Sequence, residues 1–197
     1  IWIEKLLLNT PWPIIILIIA LLCYLGARNW KLPLASALTF TFIGYLGMWE
    51  DTMSTIALIS VATIICILIG MPLGIWMSRS DRVQKILNPI LDVMQTIPIF
   101  VYLLPVLMLL GIGKVPGLIA ICVYAMPPII RLTNLGIRLV DKDILEASNA
   151  FGANYKQRLL EIQIPLALPN IFAGINQTIM MALAMVVIAS MIGVRGL

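Results

Sequence analysis

The residues whose types and spacing most suggest a function lie in one polar segment, residues 131–161, of an otherwise almost uncharged chain. The segment holds nine of the 22 charged residues. Its central pattern reads Glu146-Ala147-Ser148, three residues, Gly152, nine residues, then Ile162-Gln163-Ile164-Pro165. Residues of these types at this spacing cap helices and let another backbone approach closely. The segment is therefore a candidate coupling device that contacts something in the aqueous phase.

Other chemistries lack the residues to carry them. The chain has no histidine, and its three cysteines lie in apolar runs without CxxC spacing: Cys23, Cys66 and Cys122. This distribution argues against a metal site or a disulfide framework and predicts small buried hydrophobic residues. No GxxxxGK[ST] loop is present, so the chain is not itself an ATPase. Since no nucleophile is paired with a base either, the sequence predicts no enzyme and no cofactor bound by this chain.

The composition is that of a membrane protein. Hydrophobic residues make up 61% of the 197 residues, charged residues make up 11%, and the mean hydropathy is +1.06. A soluble domain of this size cannot bury so much apolar surface. The lipid bilayer is therefore expected to be the main solvent, with no nucleic-acid partner behind the net charge of +4.

Charge-free intervals predict an all-α, polytopic transmembrane helical bundle, because about 20 apolar residues cross the hydrocarbon core. The six predicted spans are Leu6–Ala27, Leu32–Trp49, Thr52–Ser78, Val93–Gly113, Val115–Ile130 and Ile162–Val194. The fifth is short, and Lys114 and Arg131 at its ends are expected to extend to the membrane interfaces. Since the chain begins at Ile1 and stops after Leu197, we expect a piece of a longer protein.

Basic residues predict the orientation, with the N-terminus outside. Cytoplasmic segments then hold ten basic residues and outer segments hold three, which satisfies the positive-inside rule. The ten are Arg28, Lys31, Arg79, Arg82, Lys85, Arg131, Arg138, Lys142, Lys156 and Arg158; the three are Lys5, Lys114 and Arg195. This topology accounts for the net charge and places the polar segment in the cytoplasm.

Local signals divide the polar segment into two short helices. Asp143 is expected to cap the first, with Glu146 three residues later completing a capping box. An apolar stripe at helical spacing is expected on its surface: Val140, Ile144, Ala147 and Phe151. Taken alone, Glu146 and Gly152 are equally well explained as local helix caps.

The second helix is expected to follow a hinge. Gly152 suits the left-handed conformation that ends a helix. Asn154 and Gln157 repeat the capping pattern, and Pro165 is expected to end or kink the helix. The sequence thus predicts a rigid first helix, a glycine hinge and a short second helix.

A few polar residues fall inside or beside the predicted spans. Gln95, Thr96, Asn176 and Gln177 have two explanations: hydrogen bonds between helices, worth about 0.6 kcal/mol each, or the lining of a translocation path. Asp92 is expected to pair with Arg79 or Arg82. No other acidic residue lies within a predicted span, which favours an energy source outside this chain over a proton- or sodium-driven carrier.

Glycines and prolines leave further alternatives open. Gly70 and Gly74 form a GxxxG pattern around Pro72, so close helix contact and a kink are both expected outcomes. Pro127 and Pro128 together predict a broken helix end.

The central pattern resembles the EAA signature of binding-protein-dependent ABC importer permeases. The spacing matches throughout. The two departures are Ser148, where the family often has alanine, and Ile164, where leucine is usual. Both changes are small or isosteric.

The resemblance extends over residues 52–197, the predicted permease core with its coupling loop at 131–165; residues 1–51 are predicted N-terminal spans with a weak match. Six stretches are similar to permeases of glycine betaine/proline betaine importers: Met71-Pro72-Leu73-Gly74-Ile75-Trp76, Leu91-Asp92-Val93-Met94-Gln95-Thr96-Ile97-Pro98, Phe100-Val101-Tyr102-Leu103-Leu104-Pro105, Met126-Pro127-Pro128-Ile129-Ile130-Arg131-Leu132-Thr133, Asn176-Gln177-Thr178, and Met185-Val186-Val187-Ile188-Ala189-Ser190-Met191-Ile192. They indicate the quaternary-amine branch of the family.

The resemblance implies a transport subunit in a bacterial inner membrane, paired with a second, usually identical permease. Its implied partners are a cytoplasmic ATPase, which would bind ATP and magnesium, and an extracytoplasmic substrate-binding protein. The implied ATPase-coupling residues are Asp143, Ile144, Glu146, Ala147, Ser148, Phe151, Gly152, Ile162 and Pro165. The alternatives are a permease for another solute, such as choline or an amino acid, and a membrane scaffold or secondary carrier without an ATPase.

Overall fold

The computed structural model describes residues 2–191, which fold into helices with no strand among them. The helices are α1 (Trp2–Asn9), α2 (Trp12–Ala27), α3 (Lys31–Tyr45), α4 (Trp49–Arg79), α5 (Asp81–Thr96), α6 (Ile99–Leu110), α7 (Lys114–Arg138), α8 (Lys142–Ala150), α9 (Tyr155–Gln157) and α10 (Ile164–Ser190), with a π-helical segment, Arg158–Gln163, joining α9 to α10. The predicted all-α class is confirmed.

Three helices are long and apolar enough to cross a membrane alone: α4, α7 and the continuous helix Tyr155–Ser190. Two more spans are possible if the bent pairs α1–α2 and α5–α6, with angles of 108° and 86°, each cross once. The described chain therefore has three to five spans where the sequence predicts six. The predicted end of the last span, Val194, and the basic residue Arg195 lie outside the described residues, as do the last residues of the predicted core.

The difference has a backbone cause that a charge-free interval does not reveal. Pro11 and Pro98 stand where the two bends occur, and proline disfavours a helical conformation in the residue before it. Ile97 is accordingly extended, with φ −68° and ψ 130°. The second predicted span yields only the 15-residue α3, which ends near Gly47 in a left-handed conformation. Each interruption shortens a helix that the apolar run alone would continue.

Helix α7 lies between α4 and α10 and forms the centre of the fold. Its contacts with α4 are close at glycine: a Cβ added to Gly74 would lie 2.7 Å from the carbonyl oxygen of Ile130. On its other side, a Cβ added to Gly136 would lie 2.8 Å from the Cβ of Asn170 on α10. The GxxxG pattern thus serves close helix contact, and α4 continues as a helix past Pro72.

The tandem prolines do not break α7. Pro127 and Pro128 are buried inside a helix that runs unbroken from Lys114 to Arg138. The predicted helix end is therefore wrong, and α7 extends two turns beyond the predicted limit at Ile130. Contacts with α4 and α10 on both sides hold the helix through the positions where the prolines supply no N–H donor.

The buried side chains form two clusters stacked along α7. One cluster joins α4, α6, α7 and the end of α10, and includes Leu103 of α6. The other joins α4, α5, α7 and the start of α10, and includes Leu91 of α5. The bend at Pro98 lets α5 and α6 cover different halves of the same core.

Ionic contacts fasten both ends of the bundle. At one end, Lys114 pairs with Glu4 of α1 and its Nζ lies 3.0 Å from the Oγ of Ser54. At the other end, the Nη2 of Arg138 lies 2.7 Å from Asp81 and 3.1 Å from the carbonyl oxygen of Met77. The first end is the one predicted to face outside, and the second is the one predicted to face the cytoplasm.

We expect Gly74→Ala to destabilise the full-length permease by about 1–3 kcal/mol, because the added methyl must push α4 away from the backbone of α7. The matched control is Gly26→Ala on α2, where no atom lies within 4 Å of the added Cβ. Both changes remove a glycine from a helix, so their difference isolates the helix contact. Thermal unfolding in detergent, monitored by size-exclusion chromatography, measures the difference in unfolding midpoint between the two variants. Equal midpoints for the two variants would contradict the close contact.

Candidate coupling site

Helix α8, which contains the predicted coupling residues, follows α7 after a short connection. Its N-cap is Asp141, whose Oδ1 accepts a hydrogen bond from the N–H of Asp143 at 3.0 Å. The predicted cap at Asp143 is therefore wrong, since the helix begins two residues earlier and Asp143 lies in its first turn. Glu146 is exposed and forms no capping box among the hydrogen bonds of residues 2–191.

The C-terminal end of α8 matches the prediction. Gly152 has φ +77°, the left-handed conformation that glycine adopts without strain. Its N–H donates to the carbonyl of Asn149, and the N–H of Ala153 donates to that of Ser148, both at 3.0 Å. This pair of bonds is a Schellman motif. It fixes the direction in which the chain leaves α8.

The next cap also matches the prediction, but the helix after it does not. Asn154 and Gln157 form a reciprocal capping box, with both bonds at 2.9 Å. The helix then continues through the π-helical segment, which contains half-buried Ile162, and past Pro165 in the first turn of α10. Pro165 therefore does not end it. The wider π turn comes just before the proline, whose missing N–H would otherwise interrupt the α-helical bonds.

The two faces of α8 differ in burial. Ser148 is buried, and its Oγ donates to the carbonyl of Leu145 at 2.7 Å. The apolar stripe is buried only at Val140: Ile144 and Ala147 are exposed, and Phe151 is 92% exposed. A phenylalanine this exposed, beside other apolar side chains, is typical of a protein contact surface.

A groove of about 230 Å³ adjoins this stripe. One wall comes from the end of α7 and from α8, including Gly136 and Ile144, and the other comes from Leu166 and Asn170 of α10. The exposed apolar stripe and the groove, whose lining is partly polar, together form one uneven surface at this end of the bundle, which we call the coupling surface.

Basic side chains brace the hinge behind the coupling surface. The Nη1 of Arg158 donates to Asn149 at 2.8 Å, which ties α8 to the helix that follows. The guanidinium of Arg79, at the end of α4, lies 4.5 Å from the ring centre of Tyr155 in a cation–π contact. Neither Tyr155 nor this use of Arg79 is predicted from the sequence, because neither sequence spacing nor charge indicates contacts between distant helices.

Asp92 pairs with a different partner from the one predicted. Its Oδ1 lies 2.5 Å from the Nη2 of Arg131 on α7. Arg79 and Arg82 are not involved, since Arg79 lies against Tyr155 and Arg82 is exposed. The pair joins α5 to α7 about two helical turns before Arg138 along α7.

The candidate path residues are only partly brought together. The Nε2 of Gln95 lies 3.9 Å from the sulfur of Met181 on α10. Gln177, four residues before Met181, shares that face of α10 and is exposed. Thr96 and Asn176 are exposed as well, and no hydrogen bond between helices involves Thr96, Asn176 or Gln177 within the described chain. Gln95 and Gln177 thus lie on neighbouring surfaces of α5 and α10.

A protein-family comparison identifies the fold's relatives. A family model described as "Binding-protein-dependent transport system inner membrane component" matches residues 67–196. The chain belongs to this family. The resemblance predicted from the EAA residues is confirmed, and the family is one of transport-system subunits of the inner membrane.

Curated relatives narrow the branch. The chain is 50% identical over 194 residues to the glycine betaine/proline betaine transport system permease protein ProW of Escherichia coli (strain K12), covering 98% of this chain and 54% of that one. It is 48% identical over 182 residues to the glycine betaine transport system permease protein OpuAB of Bacillus subtilis (strain 168), covering 92% and 64%. The chain spans about half the length of the Escherichia coli relative.

A solved structure agrees on the fold. A chain of the MetNI methionine ABC transporter, in inward-facing conformations, matches with a TM-score of 0.64 over 72% of each chain. At 21% identity the likeness shows the fold alone, that of an ABC importer permease.

The capping geometry predicts unequal effects for two neighbouring aspartates. We expect Asp141→Ala to destabilise α8 by about 1 kcal/mol, because the side chain that accepts from the first turn is lost. Amide hydrogen exchange of residues 142–150 in the full-length permease should become roughly fivefold faster. The matched control is Asp143→Ala, which removes a carboxylate of equal charge that caps nothing. An effect of Asp143→Ala equal to or larger than that of Asp141→Ala would contradict the observed cap.

Proposed function

We propose that the chain is the membrane-spanning part of a permease in an ATP-driven, binding-protein-dependent importer of glycine betaine/proline betaine-type osmoprotectants. The observation that carries the proposal is the coupling surface: a capped helix that exposes Phe151, Ile144 and Ala147 directly after α7. The family match supports transport with a separate ATPase and binding protein as partners. ATP and magnesium would bind to that ATPase, and two permease copies would form the pathway.

Coupling follows from how α8 is attached. An ATPase that grips the coupling surface moves α8, and the N-cap and the Schellman motif keep α8 rigid as it moves. Because α7 is held between α4 and α10 at glycine contacts, the three helices move together. Ala147, being small, lets the backbone of the ATPase approach closely. Closure of the ATPases would thereby switch the permease between inward- and outward-facing states.

The cargo is proposed from the relatives and the chemistry of the path. The Escherichia coli relative is named as part of a glycine betaine/proline betaine transport system, and the Bacillus subtilis relative as part of a glycine betaine transport system. In this proposal Gln95, Thr96, Asn176 and Gln177 line part of the pathway, since a solute with a carboxylate accepts hydrogen bonds from amide and hydroxyl groups.

Reconstitution of the full-length permease with its ATPase and binding protein in proteoliposomes tests the proposal. We expect uptake of labelled glycine betaine that requires both ATP and the binding protein. Uptake by the permease alone, without ATP, would instead support a secondary carrier. No uptake of any quaternary amine by the complete system, with other solutes transported, would overturn the proposed cargo.

A substitution pair tests the coupling surface. We expect Ala147→Arg to lower ATP-driven uptake roughly tenfold or more, within the usual range of coupling energies, because the long side chain blocks the approach of the ATPase. Ala147→Ser is the matched control, since it keeps the residue small and should transport normally. Gly152→Asp should also uncouple transport, because aspartate at φ +77° strains the left-handed turn, although an added Cβ has open space around it. Normal uptake and normal membrane insertion in Ala147→Arg would contradict the proposal that the ATPase binds this surface.

A further inference from the structure

A second cavity lies at the opposite end of the bundle from the coupling surface. It has a volume of about 580 Å³ and is formed where α2 begins, α3 ends and α4 begins. This volume falls within the range of roughly 300–1,000 Å³ that is typical of small-molecule sites. The cavity lies before residue 67, and therefore outside the part of the chain that matches the family model.

Three aromatic rings and one carboxylate line this cavity: Trp12, Tyr45, Trp49 and Glu50. A left-handed turn at Gly47 joins α3 to α4, so that Tyr45 and Trp49 approach the cavity from the two sides of one tight connection. Phe40 contacts Trp49 edge to face, with ring centres 6.4 Å apart, and restrains its ring. Trp12 and Tyr45 are largely exposed, so their rings remain available to a ligand.

Glu50 gives the cavity a negative charge that no lysine or arginine among the described residues neutralises. The ion pairs within residues 2–191 join Lys114 to Glu4, Arg131 to Asp92 and Arg138 to Asp81, and none includes Glu50. No lysine or arginine lines the cavity. Aromatic faces beside an unpaired carboxylate attract a cation, and they favour one that needs no hydrogen-bond acceptor.

We propose that this aromatic cavity binds a quaternary ammonium group at the end of the bundle predicted to face outside. A trimethylammonium head packs its methyl groups against the rings of Trp12, Tyr45 and Trp49, while Glu50 balances the charge. Two sources share this chemistry, a free solute such as glycine betaine and a choline lipid headgroup. The inference rests on the proposed function for the choice of glycine betaine as the free ligand; the recognition chemistry comes from the cavity alone.

The direct test is equilibrium binding of labelled glycine betaine to the full-length permease, without ATPase or binding protein. The permease is placed in nanodiscs of phosphatidylethanolamine and phosphatidylglycerol, which contain no quaternary amine. We expect saturable binding that choline displaces and that 3,3-dimethylbutanol, its neutral analogue in shape, does not. Displacement by both compounds alike would show simple apolar binding and overturn the proposal.

Substitutions of lining residues test whether glycine betaine binds in the cavity. Trp12→Ala and Glu50→Gln should each weaken binding about tenfold, because each removes one attractive group. Trp30→Ala is the control: Trp30 is also exposed but lies between α2 and α3 at the other end, against Tyr24. Glu50 is itself exposed, so Glu50→Gln tests the proposal even if Trp12→Ala fails to fold.

A second experiment, in nanodiscs that contain phosphatidylcholine, distinguishes the two possible ligands, the free solute and the lipid headgroup. In nanodiscs with phosphatidylcholine, a lipid occupant would suppress glycine betaine binding, and native mass spectrometry would show phosphatidylcholine retained by the wild type and lost from Trp12→Ala. Unchanged glycine betaine binding would identify the free solute as the preferred ligand.

No saturable binding of either glycine betaine or phosphatidylcholine would overturn the proposal. Binding that Trp12→Ala and Glu50→Gln leave intact would overturn it as well. ATP-driven uptake by a permease without this binding would refute the cavity site alone, and binding without uptake would refute the transport proposal alone.

Discussion

The close contact of α7 with α4 and α10 is the constraint on which the rest of the structure depends. At Gly74 and Gly136 the neighbouring helix lies where a side chain would be, so α7 fits only if both positions remain glycine. In a bilayer, association between helices comes largely from such close contact, since lipid is as apolar as the helix surfaces. The same contact holds α7 through Pro127 and Pro128 as far as its end at Arg138, after which the chain turns into α8.

The position of α8 follows from that constraint. Arg138 bonds to the end of α4, and Asp141 then starts α8 a few residues later. At the far end, the bonds around Gly152 and the contact of Arg158 with Asn149 fix the return to α10. A surface helix of nine residues is too short to be stable alone. Its caps and its two anchored neighbours stabilise it, and they also leave its apolar stripe exposed.

Local signals in the sequence were reliable where one short stretch determines the outcome. The left-handed Gly152 and the capping box of Asn154 with Gln157 depend on four or five neighbouring residues, and both are confirmed. Predictions failed where contacts between helices far apart in the sequence determine the local structure. Pro127 and Pro128 sit in an unbroken helix because α4 and α10 hold it, and Asp92 pairs with Arg131 across 39 residues of sequence. The aromatic cavity was missed for the same reason, since its rings come from three separate helices.

In the proposed mechanism, α8 moves with α7 as one rigid unit. Electron-spin distance measurements between labels at Lys142 on α8 and Val115 at the far end of α7, both exposed, test it directly. Cys23, which is partly exposed, is replaced by serine, and the labelled permease is diluted with unlabelled copies. If α8 and α7 move rigidly together, the distance distribution is the same in the nucleotide-free and the ATP-trapped transporter. A shift of one helical turn or more, about 5 Å, would show that α8 moves independently and would contradict the claim.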